Sequence, residues 1–500
     1  MSNENLKKLR EKLGEVIDIN GAIALLHWDQ EVYMPPKAGP GRGRQLATLS
    51  ALAHRLHTAP EVGALLEALQ GDTTLRKYGR LFLAEASYDY ARAQQLSEAF
   101  VERFAQEQSK AYEAWVRARK TSDFKVFQPH LETLIELLRQ KADYHGYEET
   151  PYNALLEDYE RGMTAARLKS IFDDLAPRQA ALVQRIVAAK DQPDLAWLDQ
   201  SWNEDTQWDF TLRVLRDMGY DFDAGRQDRS VHPFTTNFDL FDVRVTTRLN
   251  ASELFSALTG SIHEGGHALY EQGFLEKDQR TVLAAAPSLG IHESQSRLWE
   301  NMIGRSKPFW TYYAPLLRKA FPGQLDAVST DMIWRAVNHV APSLIRVEAD
   351  ECTYNLHVIL RFEIEMALLN GDLAVADLPE AWNAKVKQYL GLDVPDDAHG
   401  CLQDIHWSHG SFGYFPTYAL GNLYAAQLME KIQVDLPSLW NDVAEGDFSG
   451  LLAWLRKNVH QVGRRKSALQ IVTDATGVEP TSEPFMRYLE TKYGALYGLD

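Results

Sequence analysis

His263-Glu264-Gly265-Gly266-His267 sets two histidines four positions apart with a glutamate beside the first, an HExxH sequence. On a helix, His263 and His267 lie one turn apart on the same face, where their imidazoles can hold one Zn²⁺. Glu264 projects about 60–100° around the axis from them. Its carboxylate then stands beside the ion's open position rather than on the ion, where the general base of a hydrolytic reaction belongs.

A catalytic zinc takes a third protein ligand and keeps one position open. The candidate is Glu293, 26 positions after His267 (293 − 267), near the start of a second helical run over 288–302 with Ser288 as its N-cap. A His₂Glu set with the third ligand on a following helix is the gluzincin arrangement, as in thermolysin. His292 competes for the role. It points about 100° away from Glu293 on a helix, so at most one of the two coordinates. The metal helix is expected from a capping box at Asn250-Ala251-Ser252-Glu253, from Leu254, Leu258, Ile262 and Leu269 at helical spacing, and from Gly273 as C′ residue. Gly265 and Gly266 each cost a helix interior about 1 kcal/mol relative to alanine. Their presence implies that a neighbouring backbone or a substrate packs closely against that face.

These residues belong to a series of five motifs: DxRxT at 242–246, the HExxH, HESQSR at 292–297, IRxxAD at 345–350 and GxxQDxHW at 400–407. With Trp28-Asp29-Gln30-Glu31 and Met34-Pro35 near the start, and with the chain's length, the sequence resembles the carboxypeptidase Taq family of zinc metallocarboxypeptidases. The resemblance implies a mainly α fold, two helical lobes around a deep active-site groove, and a homodimer. It implies Zn²⁺, or Co²⁺ in its place, and removal of C-terminal residues from peptides with broad specificity, proline being disfavoured. It also favours Arg346 as the residue that binds the peptide's free carboxylate, with Asp350 as its orienter. Arginine suits that task because its planar fork accepts a carboxylate bidentately and stays charged. The residues alone leave an i,i+4 salt bridge between the two as the plainer reading.

The stretch 400–418 concentrates Gln403, Asp404, His406, Trp407, His409, Tyr414 and Tyr418, and Gly410 and Gly413 predict a mobile loop. The order of a histidine, Gly-Tyr and a further tyrosine is similar to that of thimet-type oligopeptidases. This likeness implies that His406 with Tyr414 or Tyr418 donates hydrogen bonds to a developing oxyanion. A packed aromatic cluster is the alternative for Trp407 and Phe412, and Asp404 or Gln403 could equally orient a metal-binding histidine.

The elements that must carry these groups are mostly helical. Five hundred residues with 45% hydrophobic content can bury a large core. Helical periodicity runs over 6–27, breaks at Pro35-Pro36 and Gly39-Pro40, resumes over 44–56 and continues in long segments to about Lys190. We therefore expect a single unit over 1–500, with a helical scaffold lobe over roughly 1–220 and a metal-site and substrate-binding region over 221–500. Between Asp221 and Asn250 the chain turns β-branched and aromatic, and Val243, Val245 and Thr247 alternate with Arg244, Thr246 and Arg248. That predicts a small β-sheet beside the HExxH helix. It either pairs with extended substrate as an edge strand or serves as a structural hairpin. Helices return after Gly304, including 332–339 and 345–369.

A net charge of −17, from 52 basic and 69 acidic residues, argues against a nucleic-acid role. No apolar run is long enough for a membrane span, and the first 21 residues lack the apolar region of a secretory signal. Two cysteines, Cys352 and Cys401, cannot build a disulfide framework, so a reducing, cytoplasmic setting is expected. The expected partners are peptides with a free C-terminus and a second copy of the chain. An oligopeptidase that cuts internal bonds with the same metal site is the alternative. A non-enzymatic scaffold would have no need of Glu264.

Overall fold

The computed structural model describes residues 4–499; residues 1–3, where the polar N-terminal stretch begins, and residue 500 lie outside the described residues. Helices dominate, and the three-stranded sheet predicted before the metal helix is the only sheet among the described residues. Among the described residues, no helix is long and apolar enough to cross a membrane.

Leu9, Leu13 and Val16, at i, i+4 and i+7, bury one side of the first helix, Glu4–Val32. The next helix, Gly39–His57, has Gly39 and Pro40 in its first turn, where the missing N–H of proline has no partner to lose. Gly39-Pro40 thus starts a helix, where the sequence reading took it for a break. Burial falls into two groups. A smaller core joins Leu9, Leu13, Val62, Leu66, Phe82 and neighbouring residues to Leu283, and a larger one runs from Ala111 to Tyr497. The division lies between Ala86 and Ala111, so the helices over 111–218 share their core with the metal-site half.

Strands β1 (Gln227–Arg229), β2 (Thr235–Asp239) and β3 (Asp242–Thr247) lie in the order β1-β3-β2. β1 runs parallel to β3 and β2 antiparallel to it, so Val245 faces Gln227 on one side and Thr235 on the other. The period-2 pattern holds to Val245 and lapses at Thr246, which is buried like Thr247: Val243 and Val245 are fully buried, while Arg244 pairs with Asp242 through two hydrogen bonds of 2.8 and 2.9 Å. The Arg244 guanidinium sits 4.4 Å from the ring centre of Trp28 and 4.8 Å from that of Phe238. The sequence reading had left the DxRxT motif without a role. It ties the sheet to the first helix.

Two local expectations fail. Asn250 does not cap the metal helix: its side-chain oxygen accepts from the Ser252 N–H, an Asx turn, and the helix starts at Ser256 without a side-chain cap. The Trp202 N–H donates to the Ala251 carbonyl and holds that turn outside the helix. The helix over 345–369 is also not continuous. Arg346–Glu348 is a single 3₁₀ turn, Ala349 is extended, and the α-helix runs only over Tyr354–Asn370.

Candidate active site

The metal helix, Ser256–Glu271, carries His263 and His267 with ring centres 4.9 Å apart. Its two glycines are explained by what lies against them. A Cβ on Gly265 would stand 2.5 Å from Leu215 Cδ2, and one on Gly266 would stand 2.7 Å from both the Gln295 carbonyl oxygen and Ser296 Cα. The neighbour at Gly266 is the backbone of the next ligand-bearing helix, Leu289–Arg297. On its other side that helix meets Gly421 of the buried helix Pro416–Asp435, whose missing Cβ leaves room for Glu293 Cγ. Two glycines therefore let three helices close around Glu293.

Ser288 caps the Glu293 helix as expected, accepting from the Ile291 N–H at 3.1 Å. A residue from the N-terminal half, Glu160, accepts from the Gly290 N–H at 3.0 Å and from the Tyr424 hydroxyl at 2.9 Å. Fully buried, it is pushed up to about 7. Glu293 Oε2 lies 3.7 Å from His263 Nε2 and 3.3 Å from His267 Nε2, and one ligand atom from each of the three residues falls within 4.8 Å of the others. Tetrahedral zinc with bonds of about 2.1 Å separates its ligands by about 3.4 Å, so two imidazoles and a carboxylate at these spacings fit a divalent ion.

Each of these three side chains is held from behind. His263 Nδ1 lies 2.9 Å from Glu300 Oε2, and His267 Nδ1 lies 2.6 Å from His292 Nδ1, whose Nε2 is 2.7 Å from Glu271 Oε1. His292 thus pairs with His267 and stands outside the three-residue group that could hold an ion. Arg297 donates to Glu293 Oε1 at 2.7 Å and to Glu300 at 3.3 Å, and Arg305 donates to the other Glu300 oxygen. Although burial works against it, Glu293 is held well below the ordinary carboxylate range by Arg297 and the two histidines. Glu300, two turns after Glu293 and on the same face, meets His263 from within a π-turn over Leu298–Ile303.

Glu264 lies outside the ligand set, as the helical geometry requires. Its Oε2 accepts from the Thr235 hydroxyl of β2 at 2.7 Å, and burial raises its pKa. A buried carboxylate of raised pKa beside a metal position is suited to exchange protons with a reacting water.

Arg346 is 5% exposed, and Asp350 does not orient it. With Ala349 extended, four positions no longer make one helical turn, and Asp350 instead accepts from the Ala341, Cys352 and Thr353 N–H groups. The partner of Arg346 is Asp404, whose Oδ1 accepts from Nε at 3.0 Å and from Nη2 at 2.8 Å. Nη1 donates to the Tyr354 hydroxyl at 2.9 Å. The Arg297 guanidinium lies 4.3 Å from the centre of the Tyr354 ring, so Tyr354 joins Arg346 to the arginine that grips Glu293. Asp404 and Gln403 serve arginines, not a metal-binding histidine.

His406, Tyr414 and Tyr418 come together: His406 Nε2 is 3.3 Å from the Tyr418 hydroxyl, and the two tyrosine rings are 5.3 Å apart. Burial pulls His406 down to about 4, which leaves it neutral at pH 7, and raises both tyrosines, which stay protonated. The segment around them is anchored, contrary to the mobile loop expected. Buried Glu365 accepts from the Trp407 indole, the Gly413 N–H and the Tyr152 hydroxyl, and Gly413 lies against the backbone of Leu155 and Leu156. Trp407 and Phe412 are packed core aromatics.

Sequence reasoning missed Thr235, Tyr354, Glu271, Arg297, Glu300 and Arg361. Spacing could have found one of them, because Arg297 follows Glu293 by four and pairs with it.

The family model for carboxypeptidase Taq (M32) metallopeptidases matches residues 8–493. Thermostable carboxypeptidase 1 of Thermus thermophilus is 41% identical over 488 residues, covering 95% of each chain. Carboxypeptidase 1 of Bacillus subtilis is 40% identical over 492 residues, covering 98% of each. The crystal structure of the M32 carboxypeptidase from Deinococcus radiodurans superposes with a TM-score of 0.98 at 40% identity, covering 99% of this chain and all of that one. Family, fold and a His-His-Glu group suited to a divalent ion agree: the chain belongs to the carboxypeptidase Taq (M32) family and is a metallocarboxypeptidase, a hydrolase of peptides.

Proposed function

We propose that His263, His267 and Glu293 hold Zn²⁺, with Co²⁺ able to replace it, and that Glu264 is the general base in removing C-terminal residues. When bound, the ion supplies Lewis-acid polarisation of the scissile carbonyl and lowers the pKa of the attacking water. Glu264 takes the proton of that water on its carboxylate and passes it to the leaving amine. Thr235 keeps the carboxylate turned towards the site. His406, as a neutral N–H donor, and the hydroxyls of Tyr414 and Tyr418 stabilise the oxyanion. Arg346 binds the free carboxylate of the peptide, which makes the last bond the scissile one.

One observation carries this reading. Three candidate ligand atoms lie within 4.8 Å of one another, while Glu264, adjacent in sequence, stays out of that group and is held by Thr235. Family membership supports broad specificity with proline disfavoured, a homodimer, and a single unit whose groove runs between two helical lobes. Two buried free cysteines support a cytoplasmic setting.

The test is metal analysis together with mass spectrometry of products from a free-acid peptide and its C-terminally amidated twin, with and without a chelator. Stepwise loss of C-terminal residues from the free acid only, abolished by chelation and restored by Zn²⁺, is expected. Internal cleavage of both peptides would overturn the terminal reading.

A further inference from the structure

Arg361 lies in the middle of the helix Tyr354–Asn370, fully buried, and belongs to none of the motifs. It donates from Nε to Asp404 Oδ2 at 2.7 Å, from Nη2 to Gln403 Oε1 at 2.9 Å and from Nη1 to the His357 carbonyl at 2.6 Å. Arg346 uses the other oxygen of the same carboxylate. Two guanidiniums therefore share one acid, with Phe415 5.3 Å from Arg361 and 5.5 Å from Arg346, and Trp382 against Arg361 at 4.5 Å.

The charges around this triad do not cancel it. His357 and His406 are kept neutral by burial, and Tyr418 is kept protonated. Arg297 is matched by Glu293 and Glu300. Glu365, one turn along the Arg361 helix, is engaged by Tyr152, Trp407 and Gly413 and bonds neither arginine; pushed up to about 7 by burial, it is only about half ionised at pH 7 and offsets the triad in part. An Arg346–Asp404 pair by itself would be neutral and would offer little to an incoming carboxylate. Of the five N–H donors of Arg346, two remain beyond those given to Asp404 and Tyr354.

We propose that Arg361 is a specificity-determining positioning residue: by taking the far oxygen of Asp404, it leaves the Arg346–Asp404–Arg361 cluster one positive charge in excess, presented to the peptide's terminal carboxylate through Arg346. The inference rests on Arg346 as the carboxylate reader. A buried excess cation is costly until an anion arrives, so the charge that destabilises the free site is what the substrate neutralises.

The experiment compares kcat and KM of the metal-loaded enzyme on a free-acid peptide and its amidated twin for Arg361→Met, Arg361→Lys, Arg361→Met/Asp404→Asn and Arg346→Met. Arg361→Met should raise KM for the free acid at least tenfold, with a smaller change in kcat, and should shrink the preference for it over the amide. Arg361→Lys keeps the charge and should keep that preference. Adding Asp404→Asn to Arg361→Met restores the excess charge and should recover it, which a purely structural role would not do. Arg361→Lys falling as far as Arg361→Met, or no recovery in the double variant, would overturn the proposal. If Arg361→Met does not fold, the lysine and double variants decide alone. An Arg346→Met enzyme that still prefers the free acid would instead remove the carboxylate-reader reading beneath it.

Discussion

Glu300 Oε2, in the π-turn that follows the Glu293 helix, stands 2.9 Å from His263 Nδ1. Seven positions after Glu293, two turns along, Glu300 returns to the face of the helix that meets His263. Glu300 is also gripped by Arg297 and Arg305, so the orientation of His263 depends on a carboxylate fixed on both oxygens. Glu300→Gln keeps the shape and removes the charge. Partners of this kind contribute about 10–100-fold to metal affinity, and we expect a loss of that size in competition with a chromophoric chelator. His292→Phe, which removes the partner of His267, should behave alike. Unchanged affinity in both variants would mean that the two ligands need no support from behind.

Gly266 and Gly43 predict opposite effects of the same substitution. Alanine at Gly43, inside the helix Gly39–His57, meets nothing within 4 Å and should stabilise by about 1 kcal/mol through helix propensity. Alanine at Gly266 meets backbone at 2.7 Å on the Glu293 helix, and the shift it forces should cost about 1–3 kcal/mol and weaken metal binding. Thermal unfolding of the two metal-free variants beside the parent, followed by metal titration, gives the comparison. A Gly266→Ala protein as stable and as tightly metallated as the parent would show that the two helices have room to part.

Glu160 makes stability depend on pH. Its folded pKa, pushed up to about 7 by burial, lies above the ordinary value of 4.5. Below pH 4.5 both folded and unfolded chains carry the proton, and its contribution is fully present. Between pH 4.5 and 7 the unfolded chain ionises while the folded one keeps its proton, so the contribution declines as pH rises and is lost above 7. The span of 2.5 units corresponds to about 3 kcal/mol. Relative to Glu160→Gln, the parent should therefore lose stability as the pH rises from 4.5 to 7.5. Parallel melting temperatures across that range would sink the assignment.

The parts of this site that the sequence discloses are those set by one helical turn. His263, His267 and Glu264 follow from 3.6-residue periodicity, and Ser288 from capping chemistry. What it conceals depends on chain crossings. Arg346 and Asp404 are 58 positions apart, Glu160 reaches Gly290 across 130, and Thr235 meets Glu264 through the strand hairpin. The assignment of Asp350 to Arg346 failed because it presumed a continuous helix, while Asp350 had backbone N–H groups of its own to satisfy. The anchored 400–418 segment was misread as a loose loop because Gly410 and Gly413, both at positive φ, signal a turn and say nothing of the buried Glu365 that fastens it. The fold was legible as mainly helical with one small sheet. The division of its cores was not, because helical periodicity shows which face is buried and not against what.

Glu264→Gln separates metal binding from proton transfer. Glutamine preserves the volume of the side chain and can still accept from the Thr235 hydroxyl, so neither the metal helix nor β2 has reason to move. The ligand set His263, His267 and Glu293 is untouched, and metal content should stay at the parent's level. What disappears is the carboxylate proposed to take a proton from water, an effect of about 10²–10⁴ in rate for a general base. The expected result is a fully metallated protein with kcat reduced by that factor and KM for free-acid peptides little changed, since Arg346, the proposed reader of the terminus, is untouched. Thr235→Val should give a milder loss of kcat, again without loss of metal, because it frees the carboxylate without removing it. Activity of Glu264→Gln within tenfold of the parent would place the base elsewhere, and His406, neutral at pH 7 with an unpartnered Nδ1, would be the next residue to replace.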